Sequence, residues 1–264
     1  MCRMAAYIGA ARHLAVIVVT PRHSLLVQSQ DATEAKLAVN GDGFGFAWYN
    51  NGLEPGLYKD ILPAWSDANL VSLCTHISAP LFLAHVRAST DAETARANCH
   101  PFTWRNWSFM HNGQIGNFGA LRRPLENSLS DEFYALRRGQ TDSELVFLLL
   151  LQAGLERDPA QACVNVIRQI TENTLKISSK APVRRTCVIS VGVALYAFRY
   201  ASDGRCPTLY SVVTAGGVIL ASEPMDPEFG TWSEVEPNTL MRVDGEGGYR
   251  TERMERVASP VFVA

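Results

Sequence analysis

The sequence has no large surplus of charge of either sign. Lysine and arginine total 24 and aspartate and glutamate total 26, which gives a formal net charge of −2 over 264 residues. A chain that binds nucleic acid or an anionic membrane through its charge usually carries a basic surplus. We therefore expect no nucleic-acid partner and no membrane partner. The hydrophobic fraction of 47% and the charged fraction of 19% are typical of a soluble globular protein.

The sequence also lacks a long apolar run. The longest one, Leu145–Leu151, is far shorter than the roughly 18–20 residues that cross a bilayer. At the N-terminus, Arg12 and His13 interrupt the apolar character, and the run Leu14–Val19 is shorter than the apolar region of a signal peptide. We interpret this start as a first strand and expect a cytoplasmic protein.

Paired cysteines and phosphate-binding loops are missing as well. The six cysteines are scattered without a C-x-x-C pair, so reduced thiols are expected rather than a disulfide framework. Cys74 with His76, and Cys99 with His100, lack zinc-finger spacing, and we predict no metal and no other cofactor. The glycines of residues 41–45 fit neither the P-loop pattern nor the dinucleotide-binding pattern, so no nucleotide site is predicted.

What the chain does have is a cysteine directly after its first residue, in Met1-Cys2. A small second residue allows an aminopeptidase to remove Met1, which would leave Cys2 with both a thiol and a free α-amine. A thiol attacks as its thiolate, with an ordinary pKa of about 8.5, whereas an α-amine titrates near about 7.7–8.0 and can act as a base. Nucleophile and base would then lie on one residue. The simpler alternative is that some residue must follow Met1.

The hydrophobic pattern predicts strands towards both ends of the chain and helices in the middle. Strands are predicted at 2–9, 44–49, 54–59, 81–87, 107–111, 186–191, 194–200, 208–213, 217–221, 239–243 and 249–253. Helices are predicted at 65–76, 145–152 and 158–177, and a capping box of Thr141 and Glu144 precedes the second of them. This order indicates one α+β domain over residues 1–264, with packed sheets and helices outside them.

Candidate chemistry is concentrated in four stretches. They are Cys2, His85–Thr90, His111–Gly113 and Thr141–Glu144. Each has a structural alternative: Arg87 could be an ion-pair partner, Asn112-Gly113 could form a type I′ hairpin turn, and Asp142 could complement a helix dipole. These alternatives lose weight because the four stretches occur together and in this order.

In that order the four stretches resemble those of the class II glutamine amidotransferases, a family of N-terminal-nucleophile enzymes. Cys2 stands where the family has its N-terminal cysteine. Arg87 and Thr90 fit its H-x-R-x-x-T motif, and His111-Asn112-Gly113 fits its H-N-G. Three further segments resemble a stand-alone subfamily without a fused synthetase domain. They are residues 41–49, 98–102 and 221–224.

The resemblance implies a fold and a role for each of these residues. The fold would be the four-layer αββα sandwich of N-terminal-nucleophile hydrolases. Arg87 would bind the α-carboxylate of a γ-glutamyl substrate and Asp142 its α-amine, and Thr90 and His111 would also belong to the substrate site. The Asn112 side chain and the Gly113 N–H would form the oxyanion hole.

The function implied by the resemblance is cleavage of a γ-glutamyl amide bond, in glutamine or in a γ-glutamyl peptide. Cleavage would pass through a Cys2 thioester and release glutamate, as in subfamily members of ergothioneine synthesis or glutathione breakdown. A glutaminase subunit that delivers ammonia to a separate synthetase partner is the alternative. A third hypothesis, an inactive interaction module, is disfavoured by the intact motif residues. The sequence leaves open which leaving group the substrate carries and whether the protein forms a homodimer.

Overall fold

The structure is a computed structural model that describes residues 2–35, 37–50, 52, 54–89, 92–177, 182–245 and 248–254. The helices within these ranges are α1 (Ala15–Val18), α2 (Leu25–Gln30), α3 (Ala68–His76), α4 (Phe118–Glu126), α5 (Asp131–Ala135), α6 (Asp142–Gln152) and α7 (Pro159–Ile177). The strands are β1 (Arg3–His13), β2 (Phe44–Tyr49), β3 (Gly56–Asp60), β4 (Ser78–Val86), β5 (Phe102–Trp104), β6 (Trp107–Ile115), β7 (Val183–Ser190), β8 (Ala194–Ala201), β9 (Tyr210–Thr214), β10 (Gly217–Ala221), β11 (Ser233–Glu234), β12 (Thr239–Asp244) and β13 (Tyr249–Arg253). None of the helices in these ranges is both long enough and apolar enough to cross a membrane.

The strands form two antiparallel sheets. One sheet has seven strands in the order β11-β9-β10-β1-β4-β2-β3, and the other has six in the order β13-β12-β8-β7-β6-β5. The N-terminal strand is therefore central, with β4 on one side and β10 on the other. Because β1 and β4 are antiparallel, Arg3 at the start of β1 lies opposite Val86 at the end of β4. This register brings Cys2 and Arg87 to the same end of the sheet.

Three buried apolar clusters define the layers. One cluster lies between the two sheets and includes Met4 of β1, Leu83 of β4 and Met110 of β6. A second joins the outer face of the seven-stranded sheet to α1, α2 and α3. The third joins the outer face of the six-stranded sheet to α4, α6 and α7. The resulting order of helices, sheet, sheet and helices confirms the predicted four-layer αββα sandwich.

The structure overturns one alternative for Asn112-Gly113. Strand β6 does not end at His111; it continues through these two residues to Ile115. Asn112 lies opposite Thr186, and Gly113 lies opposite Arg185, in the ladder with β7. The hairpin interpretation was therefore wrong, because pairing with a distant strand outweighs the local turn preference of an Asn-Gly pair.

The first strand also extends beyond its predicted end at Gly9. It continues to His13, with an irregular register against β4 between Ile8 and Arg12. A Cβ on Gly9 would meet the carbonyl oxygen of Gly216 at 2.1 Å. The glycine thus allows β1 to approach the start of β10 closely, rather than ending the strand.

The capping box before α6 forms only in part. The Thr141 hydroxyl accepts a hydrogen bond from the Glu144 N–H at 3.2 Å, as predicted for the N-cap. The Glu144 carboxylate does not return to the Thr141 N–H. It accepts hydrogen bonds instead from the N–H groups of Arg138 at 2.8 Å and Gly139 at 2.7 Å. Glu144 therefore fixes the loop that leads into α6.

Helices α4 and α5 lie where the sequence pattern predicts no element. Helix α4 begins after Asn117 in the left-handed conformation, without a side-chain cap, and contains Pro124. These features are signals against a helix, so local rules do not find it. The helix packs through Leu121 and Leu125 into the cluster below the six-stranded sheet. Tertiary packing therefore stabilises a helix that its own sequence disfavours.

Candidate active site

The candidate site is a cavity of about 470 Å³ where β1, β4 and β6 meet the first turn of α6. Among the residues predicted for the site, its lining includes Cys2, Arg87, His111, Gly113 and Asp142. Asn112 is fully buried behind this lining. Thr90 lies outside the described residues. Four separate stretches of the sequence thus contribute to one cavity.

The Cys2 thiol is partly buried at the edge of this cavity. Its Sγ–H donates to the carbonyl oxygen of Ala88 at 3.6 Å. Burial raises the pKa of the Cys2 thiol, and the charge of Arg87 opposes that effect only in part. Since the thiol rather than the thiolate is favoured, attack by Cys2 needs a base close to the sulfur atom.

Arg87 presents a charge without a carboxylate partner. Its side chain is 3% exposed, and its guanidinium donates to the carbonyl oxygens of Asp42 and Ala92 at 3.2 Å each. The third partner is the Ser89 hydroxyl at 2.9 Å. No ion pair to Arg87 exists among the described residues. Neutral oxygens fix the guanidinium in place, and its positive charge is left for an anion in the cavity.

Asp142 is the negative counterpart and is linked to His111 through Ser143. The Asp142 carboxylate accepts hydrogen bonds from the Ile115 N–H at 2.8 Å and from the Ser143 hydroxyl at 3.3 Å. The His111 Nδ1 lies 2.8 Å from the Ser143 oxygen. When the Ser143 hydroxyl donates its hydrogen bond to Asp142, the Ser143 oxygen accepts from His111 Nδ1–H, and Nε2 of the neutral ring is unprotonated. Burial raises the pKa of Asp142, although the nearby Arg185 charge opposes this.

Gly113 is a position where the backbone leaves no room for a side chain. Its φ is +154°, and a Cβ would meet the Arg184 carbonyl oxygen at 2.4 Å and His111 Nε2 at 2.7 Å. The position therefore requires glycine for two reasons, its backbone conformation and its close neighbours. A backbone N–H at such a position can approach a ligand closely.

Asn112 has a side chain with unused hydrogen-bonding capacity. Both its amide nitrogen and its amide oxygen are buried without a partner among the described residues. Side chains alternate along a strand, so Asn112 lies on the same face of β6 as Met110, between the two sheets. By the same alternation Cys2 lies on the face of Met4. Cys2 and Asn112 therefore face the same layer.

Burial favours the neutral form of three histidines near the cavity, which are His85, His100 and His111. The rings of His85 and His100 are 4.1 Å apart between centroids. Burial lowers the pKa of His85 to about 3, and burial with the neighbouring histidines lowers the pKa of His100 far below its usual range. Burial and the Arg185 charge do the same for His111. The fixed charges near the cavity are therefore those of arginines and Asp142.

Sequence reasoning missed several residues of the site. Ser143 lies within the stretch Thr141–Glu144, but the sequence indicates no role for it. Arg185 is fully buried next to Asp142, and its guanidinium nitrogens have no hydrogen-bond partner among the described residues. Phe118 and Arg122 of α4 line the cavity. No sequence signal marks Arg185 or α4, because their contribution depends on the pairing of β7 with β6 and on helix packing.

No group of three or more histidine, cysteine, aspartate or glutamate side chains in the described part of the chain could hold a metal ion. The chemistry that the cavity itself offers is the Cys2 thiol, the guanidinium groups of Arg87 and Arg122 and the Asp142 carboxylate at its wall, and the Asn112 amide behind it. That set suits a zwitterionic substrate whose reactive carbonyl reaches Cys2.

Comparison with known proteins gives a consistent result. A family model described as class-II glutamine amidotransferases matches residues 19–214. A probable glutamine amidotransferase of Saccharomyces cerevisiae, DUG3, is 30% identical over 92% of this chain and 82% of its own length. The gamma-glutamyl-hercynylcysteine sulfoxide hydrolase of Mycolicibacterium smegmatis is 28% identical over 92% of this chain and 96% of its own.

Solved structures agree with these relatives. A glutamine aminotransferase class-II domain protein from Silicibacter pomeroyi has a TM-score of 0.78 and 36% identity, covering 96% of this chain and 98% of its own. The glutamine phosphoribosylpyrophosphate amidotransferase of B. subtilis has a TM-score of 0.63 at 17% identity, over 97% of this chain and 50% of its own. At that identity the second likeness concerns the fold alone.

Proposed function

Because this chain belongs to the class II glutamine amidotransferases, a family of enzymes, we propose that it hydrolyses a γ-glutamyl amide bond through a thioester on Cys2. The products are glutamate and the amine that was bound to its γ-carbonyl. The proposal includes residues 1–264 as one catalytic domain. In support, β10 lies beyond the matched residues yet pairs with β1, the strand that follows the nucleophile.

The observation that supports the reaction best is the charge arrangement of the cavity. The cavity is lined by Arg87, whose guanidinium has no carboxylate partner among the described residues, and by the half-buried Asp142. A γ-glutamyl group has a carboxylate and an ammonium on its α-carbon, several bonds from the reactive carbonyl. Binding both ends would hold that carbonyl against Cys2 and convert binding into proximity. His111 would support Asp142 through Ser143.

The reaction proceeds in two halves. In the first, the Cys2 α-amine takes the thiol proton, and the thiolate attacks the γ-carbonyl carbon. The oxyanion is stabilised by the Asn112 amide and the Gly113 N–H, and the protonated amine then gives its proton to the leaving nitrogen. In the second, the amine takes a proton from water, which attacks the thioester. Collapse of that intermediate returns the Cys2 thiol and releases glutamate.

The leaving group is proposed to be larger than ammonia. The cavity continues past the glutamyl-binding residues to α4, where Phe118 and Arg122 line it. An apolar part of the leaving group would suit Phe118, and an anionic part would suit the Arg122 nitrogens other than Nε, which is paired with Glu126 at 2.9 Å. The name of the M. smegmatis relative, a γ-glutamyl hydrolase of a modified cysteine, supports the same substrate class. We therefore place γ-glutamyl peptides before free glutamine.

The test is glutamate release by the purified chain from glutamine, γ-glutamylcysteine and related peptides. The protein must be untagged at the N-terminus, with removal of Met1 confirmed by intact mass. We expect release from at least one peptide, and its loss in Cys2→Ala and in a protein that retains Met1. Full activity of a protein with a blocked Cys2 amine would exclude the mechanism. Activity only after addition of a cell extract would support the synthetase-partner alternative.

A further inference from the structure

Arg3, the residue after the nucleophile, is fully buried and uses two different nitrogens at once. Its Nε donates to the carbonyl oxygen of Cys2 at 2.7 Å. Its Nη1 donates to the Glu223 carboxylate at 2.7 Å, and both side chains of this ion pair are 0% exposed. The rigid guanidinium therefore connects the backbone of the nucleophile to a residue that follows β10.

The Glu223 carboxylate has several hydrogen-bond partners in addition to Arg3. Its Oε2 lies 2.7 Å from His23 Nε2 and accepts from the Thr33 N–H at 3.0 Å and the Thr33 hydroxyl at 2.8 Å. Its Oε1 also accepts from the Glu34 N–H at 2.9 Å. Burial alone would raise the pKa of Glu223, but these hydrogen bonds outweigh burial and lower it. The carboxylate is thus ionised and immobile where Arg3 meets it.

The neighbour of Glu223 fixes the same strand from the backbone. The Met4 N–H donates to the Ser222 hydroxyl at 3.0 Å, and the Ser222 N–H donates to the Met4 carbonyl oxygen at 2.9 Å. The segment after β10 therefore restrains two residues of the N-terminus. It restrains Met4 directly through Ser222, and it restrains Cys2 through Arg3 and Glu223. On the opposite side, Arg3 is paired with Val86 of β4.

A buried ion pair contributes little net stability, because the desolvation of both charges offsets their attraction. Stability alone therefore does not explain this arrangement. The Cys2 carbonyl belongs to the only peptide group that a processed N-terminal cysteine has, so holding it fixes the Cα from which the α-amine and the thiol project. An N-terminal residue has greater freedom than one inside a strand. When the nucleophile and the base lie on an N-terminal residue, the conformational freedom of that residue must be reduced so that both groups stay oriented towards the substrate.

From this geometry we propose that Arg3 and Glu223 are positioning residues, which hold the Cys2 carbonyl so that its amine and thiol face the substrate carbonyl. Neither residue lines the cavity, and their role is exerted through Cys2. This inference rests on the proposed function, in which Cys2 is the nucleophile. It goes beyond that function by adding two residues whose side chains do not contact the substrate.

The experiment compares Arg3→Lys with Arg199→Lys, a matched control. Arg199 is also a buried strand arginine, 3% exposed and paired with Glu234, in the other sheet. Lysine keeps the charge, but its single nitrogen does not reproduce the two separate nitrogens with which Arg3 contacts the Cys2 carbonyl and Glu223. In Arg3→Lys we expect kcat to fall at least about tenfold with KM within about twofold, since Arg87 and Asp142 are untouched. Alkylation of Cys2 by iodoacetamide, followed by mass spectrometry of the N-terminal peptide, should slow by a similar factor.

The outcomes separate positioning from a merely structural role. Wild-type kcat and alkylation rates in Arg3→Lys would overturn the inference, and so would equal losses in Arg3→Lys and Arg199→Lys. If Arg3→Lys does not fold, Glu223→Gln takes its place, because it keeps the acceptor oxygen and loses the charge. Alkylation needs no substrate, so it decides the inference even if every γ-glutamyl compound proves inert and the proposed function fails.

Discussion

At the scale of single residues, the site keeps two opposite charges apart. Arg87 is hydrogen-bonded by neutral oxygens, and Asp142 by a backbone N–H and the Ser143 hydroxyl. Neither has an ion pair among the described residues. Each charge is thus oriented by the protein but not neutralised by a hydrogen-bonded counter-ion. A substrate that carries one charge of each sign could form an ion pair with each of these two residues.

Arg87→Lys tests the positive end. Lysine keeps the charge but loses the planar pair of donors, so kcat/KM for a γ-glutamyl peptide should fall at least about tenfold, roughly 1.4 kcal/mol. The control is Arg96→Lys, whose guanidinium is largely exposed and paired with Asp60. It should change kcat/KM by less than about twofold. Equal kcat/KM for Arg87→Lys and the wild type would exclude bidentate binding of the carboxylate.

Asp142→Asn tests the negative end with a pair of substrates. The amide can still accept from the Ile115 N–H but no longer attracts an ammonium. We expect kcat/KM to drop at least about tenfold for a peptide with a free α-amine and much less for its α-N-acylated analogue. Steady-state kinetics on both analogues measure this difference. A loss of the same size on each would mean that Asp142 acts only at the start of its helix.

At the scale of elements, strand β6 and helix α6 build the site together. Strand β6 contributes His111, Asn112 and Gly113, and α6 begins with Asp142 and Ser143. The hydrogen bond between His111 and Ser143 joins the two elements across the cavity wall. Their relative position therefore depends on the ladder of β6 with β7, in which Gly113 lies opposite Arg185.

Gly113→Ala should damage this ladder as well as the site. The new Cβ would collide with the Arg184 carbonyl oxygen, 2.4 Å away, and a residue with a side chain at this φ adds strain of roughly 1–3 kcal/mol. The urea midpoint should drop accordingly. Gly119→Ala is the control, because its Cβ would meet nothing within 4 Å and alanine favours a helix by up to about 1 kcal/mol. Equal midpoints for the two variants would contradict the steric argument.

At the scale of the whole molecule, the layer between the sheets combines apolar side chains with neutral histidines. Burial lowers the pKa of His85 to about 3, so the folded protein does not protonate it at mildly acidic pH. The unfolded chain takes up that proton below about pH 6.5. Because the unfolded state then binds more protons, stability must fall as pH drops from about 6.5 towards 3. His100 and His111 act in the same direction.

The acid dependence is measurable from urea unfolding between pH 7.5 and 5. His85 alone should contribute about 1.4 kcal/mol per pH unit to the loss of stability below pH 6.5. In His85→Leu that part of the slope should vanish, since leucine does not titrate. The matched control, His76→Leu, replaces an exposed histidine on α3 and should keep the wild-type slope. An unchanged slope in His85→Leu would show that the buried ring is not the source.

Much of the fold and of the site could be predicted because its signals are local. The alternation of Phe44–Tyr49 defines β2, and Thr141 defines the start of α6. The motif residues Cys2, Arg87 and Asp142 come together in one cavity, as the resemblance to the amidotransferases implied. What they do there stays a prediction until the variants are measured.

What only the tertiary structure decided involves partners that are distant in sequence. Asn112-Gly113 lies within a strand because β7, more than 70 residues later in the chain, pairs with it. Arg3 and Glu223 meet across 220 positions. The sequence by itself determined the chemistry available and the local elements, because propensities and motifs act over a few neighbours. Which side chains share a cavity or contact Cys2 was decided by strand register and packing, which join segments that no local pattern relates.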